Sequence, residues 1–193
     1  SPNKTTVCLG DEILFTDNSQ PTPGGPTITS RSWDFGDGIG TSTQVNPSYL
    51  YDSPGTYNVT LSITDSNGCP DSETIPIQVN SNPTGNISAM PLSLTINEGE
   101  TIDIGFNVTS GTIATYTWNF GNGSNPPINT NSSGPHTVLY DTPGTSTVSL
   151  TIKDANDCET IITPIEITVI AIDCSADFFP NKTVVCVGDI IDF

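Results

Sequence analysis

The stretch Trp33-Asp34-Phe35-Gly36-Asp37-Gly38 returns further along the chain as Trp118-Asn119-Phe120-Gly121-Asn122-Gly123. These are the two tryptophans of the chain, one to each copy. A Trp placed just ahead of a glycine-rich turn reads as an aromatic plug at the end of a β-strand. Side chains alternate along a strand, so Phe35 shares a face with Trp33, and Phe120 with Trp118. Trp33, Phe35, Trp118 and Phe120 are therefore expected to form the structural core of two small hydrophobic centres.

The copies belong to a regular repeat. Cys69 and Cys158 are 89 residues apart, as are Gly10-Asp11 and Gly99-Glu100, and Gly188-Asp189 lies 178 residues beyond Gly10-Asp11. A repeat near ninety residues is long enough to hold its own core, one β-sandwich per repeat. The expected domains are 1–80, with a truncated first strand, then 84–171, then 174–193 as the opening strands of a third, truncated repeat. Ser1 falls in the middle of the pattern, so the chain is expected to be a window on a longer tandem array. Linkers at 80–83 and 171–173 span only a few residues, which favours an elongated rod.

Within the first repeat the clearest strand is 56–64, where Tyr57, Val59, Leu61 and Ile63 alternate without error. Strands are also expected at 5–8, 12–17, 28–35 and 74–79, with a weak edge strand in the irregular stretch 36–48, residues 48–51 leading into the Asp52-Ser53-Pro54-Gly55 turn, and Asp65-Ser66-Asn67-Gly68 as a hairpin turn. The main strands expected in the second repeat are 92–96, 101–108, 112–120, 145–153 and 160–170, with Val148, Leu150 and Ile152 facing inward.

Composition sets outer limits on function. Four Lys and Arg stand against 21 Asp and Glu, a formal net charge of −17. That excludes nucleic acid as a partner, since nothing neutralises phosphates, and it disfavours an anionic membrane surface. The reading is an acidic, self-repelling, soluble surface. No apolar run approaches the ~20 residues that span a bilayer, so direct membrane insertion is not expected. Gly, Pro, Ser, Thr and Asn dominate, which is the composition of turns and strands. Five cysteines without a Cys-x-x-Cys pair, beside a single His, argue against zinc and for disulfides in an oxidising, extracellular compartment.

Catalytic constellations are missing from the pattern. His136 follows Ser132-Ser133-Gly134-Pro135 and reads as an exposed turn residue. Asp34 and Asp37 resemble an acid pair, but Asn119 and Asn122 replace them in the second copy. Asn keeps the hydrogen-bond acceptor and loses the acid–base chemistry, so both pairs read as turn residues bonded to nearby backbone. No catalytic residue and no enzyme activity are expected.

The Trp-x-Phe-Gly-x-Gly run, followed by Pro54-Gly55-Thr56-Tyr57-Asn58-Val59-Thr60-Leu61-Ser62-Ile63, resembles the PKD domain, an immunoglobulin-like β-sandwich. The resemblance implies an all-β chain of tandem PKD-type sandwiches arranged end to end. No cofactor is expected, with one alternative. Some PKD domains of secreted collagenases bind Ca²⁺ through acidic residues after the second strand, and this chain resembles them there at Asp17-Asn18. Asp65, in the last hairpin, is the further calcium candidate. The second repeat has Phe106-Asn107 in place of Asp17-Asn18.

Cys8 to Ser19 and Thr64 to Cys69 are similar to the tandem repeats of giant cell-surface adhesins of Bacteroidota, the SprB-type gliding-motility adhesins. Members of that family are exported by type IX secretion and anchored at the outer membrane. This implies a structural stalk that gives reach and stiffness, with neighbouring repeats, other cell-surface proteins or polysaccharide as partners. The alternative is a PKD accessory module of a secreted hydrolase that aids binding to an insoluble polymer. Tyr49, Tyr51 and Tyr116 are the aromatic candidates for such a surface, and each alternates toward the core or sits near a turn.

The implied sandwich also orders the cysteines. Cys8 lies at the end from which the chain leaves its domain, and Cys69 at the end where it arrives. The strand between them spans about 20 Å at ~3.3 Å per residue, whereas a disulfide needs Cα atoms within about 7 Å. The pairing expected is Cys8–Cys158 between repeats, with Cys8–Cys69 inside one repeat as the alternative. Cys69 and Cys186 are left for neighbouring repeats, and Cys174 for the third domain itself.

Overall fold

The computed structural model describes residues 1–172 apart from Thr22 and Pro127, and over 128–130 the backbone alone. The expected third repeat, with Cys174 and Cys186, lies outside the described residues. All regular structure among the described residues is β-strand.

In the first repeat the alternating run forms β6 (Gly55–Asp65), flanked by β7 (Pro70–Asn80) and β3 (Ile28–Asp34). With β1 (Thr6–Cys8) and β4 (Thr41–Ser42) they form a sheet in the order β1-β7-β6-β3-β4. A second layer pairs β2 (Ile13–Leu14) with β5 (Ser48–Tyr49). Between the layers lie Val7, Ile13, Phe15, Trp33, Phe35, Tyr51, Val59, Ile77 and Val79. Burying an aliphatic or aromatic side chain of this size contributes about 1.5–3 kcal/mol.

The second repeat builds both layers more fully. One sheet is β12 (Ser124–Asn125), β14 (His136–Tyr140), β10 (Glu100–Ser110) and β8 (Thr84–Met90) in that order. The other runs β13 (Ile128–Thr130), β11 (Ile113–Asn119), β15 (Gly144–Asp154), β16 (Glu159–Ile170) and β9 (Thr95–Asn97). In both repeats a short early strand pairs in parallel with the last one: Thr6 to Cys8 lie opposite Gln78 to Asn80, and Thr95 to Asn97 opposite Thr168 to Ile170. Trp118, Phe120, Val138, Tyr140, Val148, Leu150 and Ile152 are all fully buried.

Several elements depart from the sequence reading. β7 begins at Pro70, not near 74, and its first five residues are exposed, so no alternation marked them. The first strand of the second repeat was expected at 92–96; the chain instead forms β8 and β9, and Leu92 is 86 % exposed between them. β8 carries Gly85-Asn86 and buries only Ala89 to any depth, which disguises it as a loop.

Compactness divides the chain differently from the repeat. One unit joins Ser1–Asn86 with Val108–Tyr116 and Thr151–Ile162; the other holds Ile87–Asn107, Thr117–Leu150 and the residues from Thr163 on. Inside the first unit Pro83 is buried, its carbonyl accepts a hydrogen bond from Thr160 Oγ1 at 2.7 Å, and Gly111 packs against it so closely that a Cβ there would stand 3.2 Å from the Pro83 ring.

The glycines after each Trp strand are required by space as well as by backbone angle. Gly36 has φ +80° and an added Cβ would lie 2.5 Å from the Asn58 carbonyl oxygen; Gly121 has φ +85° with Thr147 O at 2.9 Å. Gly121→Ala and Gly36→Ala are each expected to destabilise their own repeat by about 1–3 kcal/mol. Thermal unfolding of the two variants checks this, with Gly24→Ala, which shares the positive φ at +75° but has nothing within 4 Å, as the comparison that carries the backbone strain without the clash.

Candidate functional site

The turn following each Trp strand is fixed by its own acidic or amide side chains. Asp34 Oδ1 accepts the Gly36 N–H at 2.9 Å, and Asn119 Oδ1 accepts the Gly121 N–H at the same distance. Asp37 Oδ1 accepts from Ile39 N at 3.1 Å and Gly40 N at 2.7 Å, while its other oxygen accepts from the Tyr49 hydroxyl. Burial works to raise the Asp37 pKa, but the Tyr49 and backbone hydrogen bonds outweigh it and hold the carboxyl below its ordinary value. The same bond, with burial behind it, pushes the Tyr49 hydroxyl up to about 12. Asp34 and Asp37 thus close a turn.

The aromatic rings are similarly committed. Trp33 Nε1 donates to Gln44 O at 3.0 Å and Trp118 Nε1 to Ser132 O at 2.9 Å. Tyr51 and Tyr140 donate their hydroxyls to Phe35 O and Phe120 O at 2.7 and 2.8 Å. Burial raises the pKa of both hydroxyls, Tyr140 to about 12. Tyr49 stacks on Phe35 with centroids 3.9 Å apart, and Tyr57 stacks on Tyr51 at 4.0 Å. Tyr49 and Tyr51 therefore belong to the core, and Tyr116 is half-buried. Where the second repeat has Ser146 in place of Tyr57, the hydroxyl donates to Asn122 O and is buried.

His136 is not the exposed turn residue its surroundings suggest. It opens β14, is half-buried, and presents its ring edge-on to Trp118 and Phe120 with centroids 5.6 and 5.5 Å away. Its Nε2 lies 3.3 Å from Ser132 O. Ser132 to Pro135 provide the loop, but the strand begins with the histidine itself.

The calcium candidates are occupied by other partners. Asp17 Oδ2 accepts from Arg31 Nε in an ion pair, and its Oδ1 accepts from Ser19 N at 2.8 Å. Asn18 donates its amide to Ser1 Oγ at 2.9 Å. Asp65 Oδ1 accepts from Asn67 N and Cys69 N, both at 2.9 Å. Among the described residues no group of three or more His, Cys, Asp or Glu is placed to hold a metal ion. The guanidinium of Arg31 supplies the positive charge that Asp17 needs, so Asp17 does not fit a calcium ligand. Sequence reading missed this pair, yet a signal was present: Arg31 is the only arginine in the chain, and a lone cation on a strand of an acidic protein calls for a carboxylate partner.

The pair has a pH signature. Burial tends to raise the Asp17 pKa, and the hydrogen bonds from Ser19 and Arg31 with the Arg31 charge more than reverse it, so the folded value lies below 3.8. A depressed folded pKa gives stability that is present above the unfolded value and lost as pH falls through the folded one. Arg31→Met is therefore expected to unfold at higher pH than the parent in an acid titration followed below pH 4. Equal acid midpoints for the two proteins would remove Asp17–Arg31 from the account.

The cysteines supply the remaining geometry. Cys8 and Cys158 form a disulfide with S–S 2.04 Å and Cα–Cα 5.4 Å. Cys69 is a free, exposed thiol. Both bonded residues lie in the first compact unit, although they come from different repeats. The cleft beside Phe15, Trp33, Val59 and Leu61 has Glu73 as its only carboxylate.

Comparison with known proteins gives a family and two groups of relatives. The family model described as PKD domain matches residues 2–79 and again 80–169. A microbial collagenase of Vibrio alginolyticus is 48 % identical over 60 residues, covering 31 % of this chain and 7 % of that protein. Collagenase ColA of Bacillus cereus is 37 % identical over 75 residues, covering 39 % of this chain and 8 % of its own length. The chain thus spans less than a tenth of either collagenase. Among solved structures, the fibronectin(III)-like modules of Clostridium thermocellum CbhA align over 89 % of this chain and 93 % of theirs, with TM-score 0.45 and 13 % identity.

Proposed function

Because the chain belongs to the PKD domain family, we propose that it is a non-catalytic accessory segment of a longer extracellular protein, a secreted hydrolase acting on an insoluble polymer. The observation that carries this reading is the similarity of the chain to parts of two collagenases. Its modules are 1–80 and 84–171, with a third beginning at 174. The acidic surface, at −17, suits a neutral or basic polymer and not a polyanion. With Tyr51 inside the core and Tyr49 stacked against it, a polymer contact uses the hydroxyl- and amide-rich strand faces.

Co-sedimentation of the 193-residue chain with insoluble collagen, chitin and cellulose tests this. Saturable retention on one of them that survives 0.5 M salt, at roughly five times the ionic strength where the Debye length is ~10 Å, supports the accessory role. Recovery of all protein in the supernatant in every case overturns it.

A second reading is favoured by one observation, the disulfide that ties residues 150 positions apart in different repeats. It suits a load-bearing stalk, with the repeats serving as the reach of an outer-membrane-anchored adhesin of the SprB gliding-motility type, exported by type IX secretion. The complete gene separates the two: one catalytic domain beside a few modules supports the hydrolase, and many copies without one support the stalk.

A further inference from the structure

We infer that Cys69 is one half of a second disulfide between modules, and that its partner is the cysteine of a Val-Cys-x-Gly-Asp turn in another PKD module. Two hairpins of this chain carry the inference. In the first repeat Asp65 Oδ1 accepts from Asn67 N and Cys69 N, both at 2.9 Å, and Asp65 N donates to Cys69 O at 3.1 Å. In the second, Asp154 Oδ1 accepts from Asn156 N at 2.8 Å and Cys158 N at 2.9 Å, and Asp154 N donates to Cys158 O at 3.1 Å. Gly68 and Asp157 both take positive φ, +81° and +64°. The two cysteines thus leave the same turn in the same way.

Their states differ. Cys158 is fully buried and bonded to Cys8, whereas Cys69 is exposed and free. The bonded copy shows what the position takes. Cys8 sits in a turn where Asp11 Oδ2 accepts the Cys8 N–H at 3.1 Å, the Asp11 N–H returns to Cys8 O at 3.0 Å, and Gly10 supplies φ +99°. The second repeat keeps this turn with Asn97 and Glu100, Asn97 N donating to Glu100 Oε2 at 2.8 Å. The turn therefore forms without sulfur, and the thiol of Cys8 serves the bond alone. The same sequence motif recurs as Val185-Cys186-Val187-Gly188-Asp189, matching Val7-Cys8-Leu9-Gly10-Asp11. Asp71 stands at the place of Thr160, so the hydrogen bond that Thr160 gives to Pro83 is not repeated at Cys69.

The step is a two-electron oxidation. The thiols of Cys69 and of the partner cysteine lose two protons and two electrons to a disulfide oxidant such as oxidised glutathione, which leaves as two reduced thiols, and one S–S bond forms.

The test is non-reducing digestion and mass spectrometry of the complete protein as its cell releases it, without alkylation before folding is complete. The Cys69 peptide is expected joined to a peptide containing Val-Cys-x-Gly-Asp other than the one that holds Cys8, and Cys69→Ser is expected to expose one additional titratable thiol per chain. Mass under denaturing, non-reducing conditions tells a partner in the same polypeptide from one in a second copy. Recovery of Cys69 as a free or glutathione-capped thiol, or joined to Cys8, Cys158 or another Cys69, overturns the inference.

Discussion

Replacing Trp118 by Ala is expected to cost the second repeat about 3–5 kcal/mol, a large part of the 5–15 kcal/mol that holds a typical domain. Trp118 has no exposed surface, stacks against Phe120 with centroids 5.5 Å apart and edges His136 at 5.6 Å. Its loss opens a cavity between two layers that meet on this ring, and Ser132 O loses the donor it has at 2.9 Å. The first repeat has its own plug in Trp33, packed on Phe15 at 5.5 Å, so its stability is expected to move by less than about 0.5 kcal/mol, the usual limit for distant sites. The variant simplifies the measurement, because Trp33 is then the only tryptophan. Denaturant unfolding followed by its fluorescence reports the first repeat, and hydrogen exchange at Val148, Leu150 and Ile152 reports the second. A Trp33 transition that shifts together with the exchange rates would show that the two cores are not separate.

Breaking the Cys8–Cys158 bond is the second large effect. A crosslink constrains the unfolded chain more strongly as the loop it closes lengthens, and this one closes a separation of 150 residues. Cys8→Ser is expected to lower the unfolding free energy of the first compact unit by about 2–4 kcal/mol. Reduction with dithiothreitol is expected to match it, since Asn97 shows that the turn persists without a thiol. The local consequence falls on β1, a strand of three residues paired only to β7. Amide exchange at Val7 and Leu9, whose N–H bonds to Asn80 O at 2.8 Å, is expected to quicken in the variant. An unchanged denaturation midpoint together with unchanged exchange would show that the bond carries no stability.

Much of the fold was legible because the sequence states it twice. Trp33 and Trp118 mark the strands that end at the two glycine turns, and β6 and β15 alternate cleanly enough to be read at sight. Elements with little buried surface were harder. β8 has one well-buried residue and a Gly-Asn pair, and the outer half of β7 is exposed on both faces. Period-2 patterning records burial, not pairing, so strands extending beyond the sandwich leave no pattern. β14 was hidden by the loop that precedes it, although Val138 and Tyr140 are both fully buried.

The site chemistry was less visible for a related reason. Asp17-Asn18 reads as a pair of oxygen ligands until Arg31, fourteen residues away, is brought onto the carboxylate by β3. His136 reads as a turn residue until β14 lays its ring beside Trp118 and Phe120. In both places the deciding neighbour is distant in sequence, and only strand pairing brings it near. The Asp34 and Asp37 caps, by contrast, bond within a few residues of themselves, so local reasoning reached them.

The covalent cross-link between repeats among the described residues is Cys8–Cys158, and a digest of the unreduced chain with trypsin and a Glu-specific protease reads it directly. Cleavage after Lys4, Glu12, Arg31, Glu73, Lys153, Glu159 and Glu166 places Cys8 in 5–12, Cys69 in 32–73 and Cys158 in 154–159, apart from Cys174. The expected product is 5–12 joined to 154–159, separated only on reduction. Recovery of 5–12 joined to 32–73 would place the bond inside one repeat and contradict the covalent link between them.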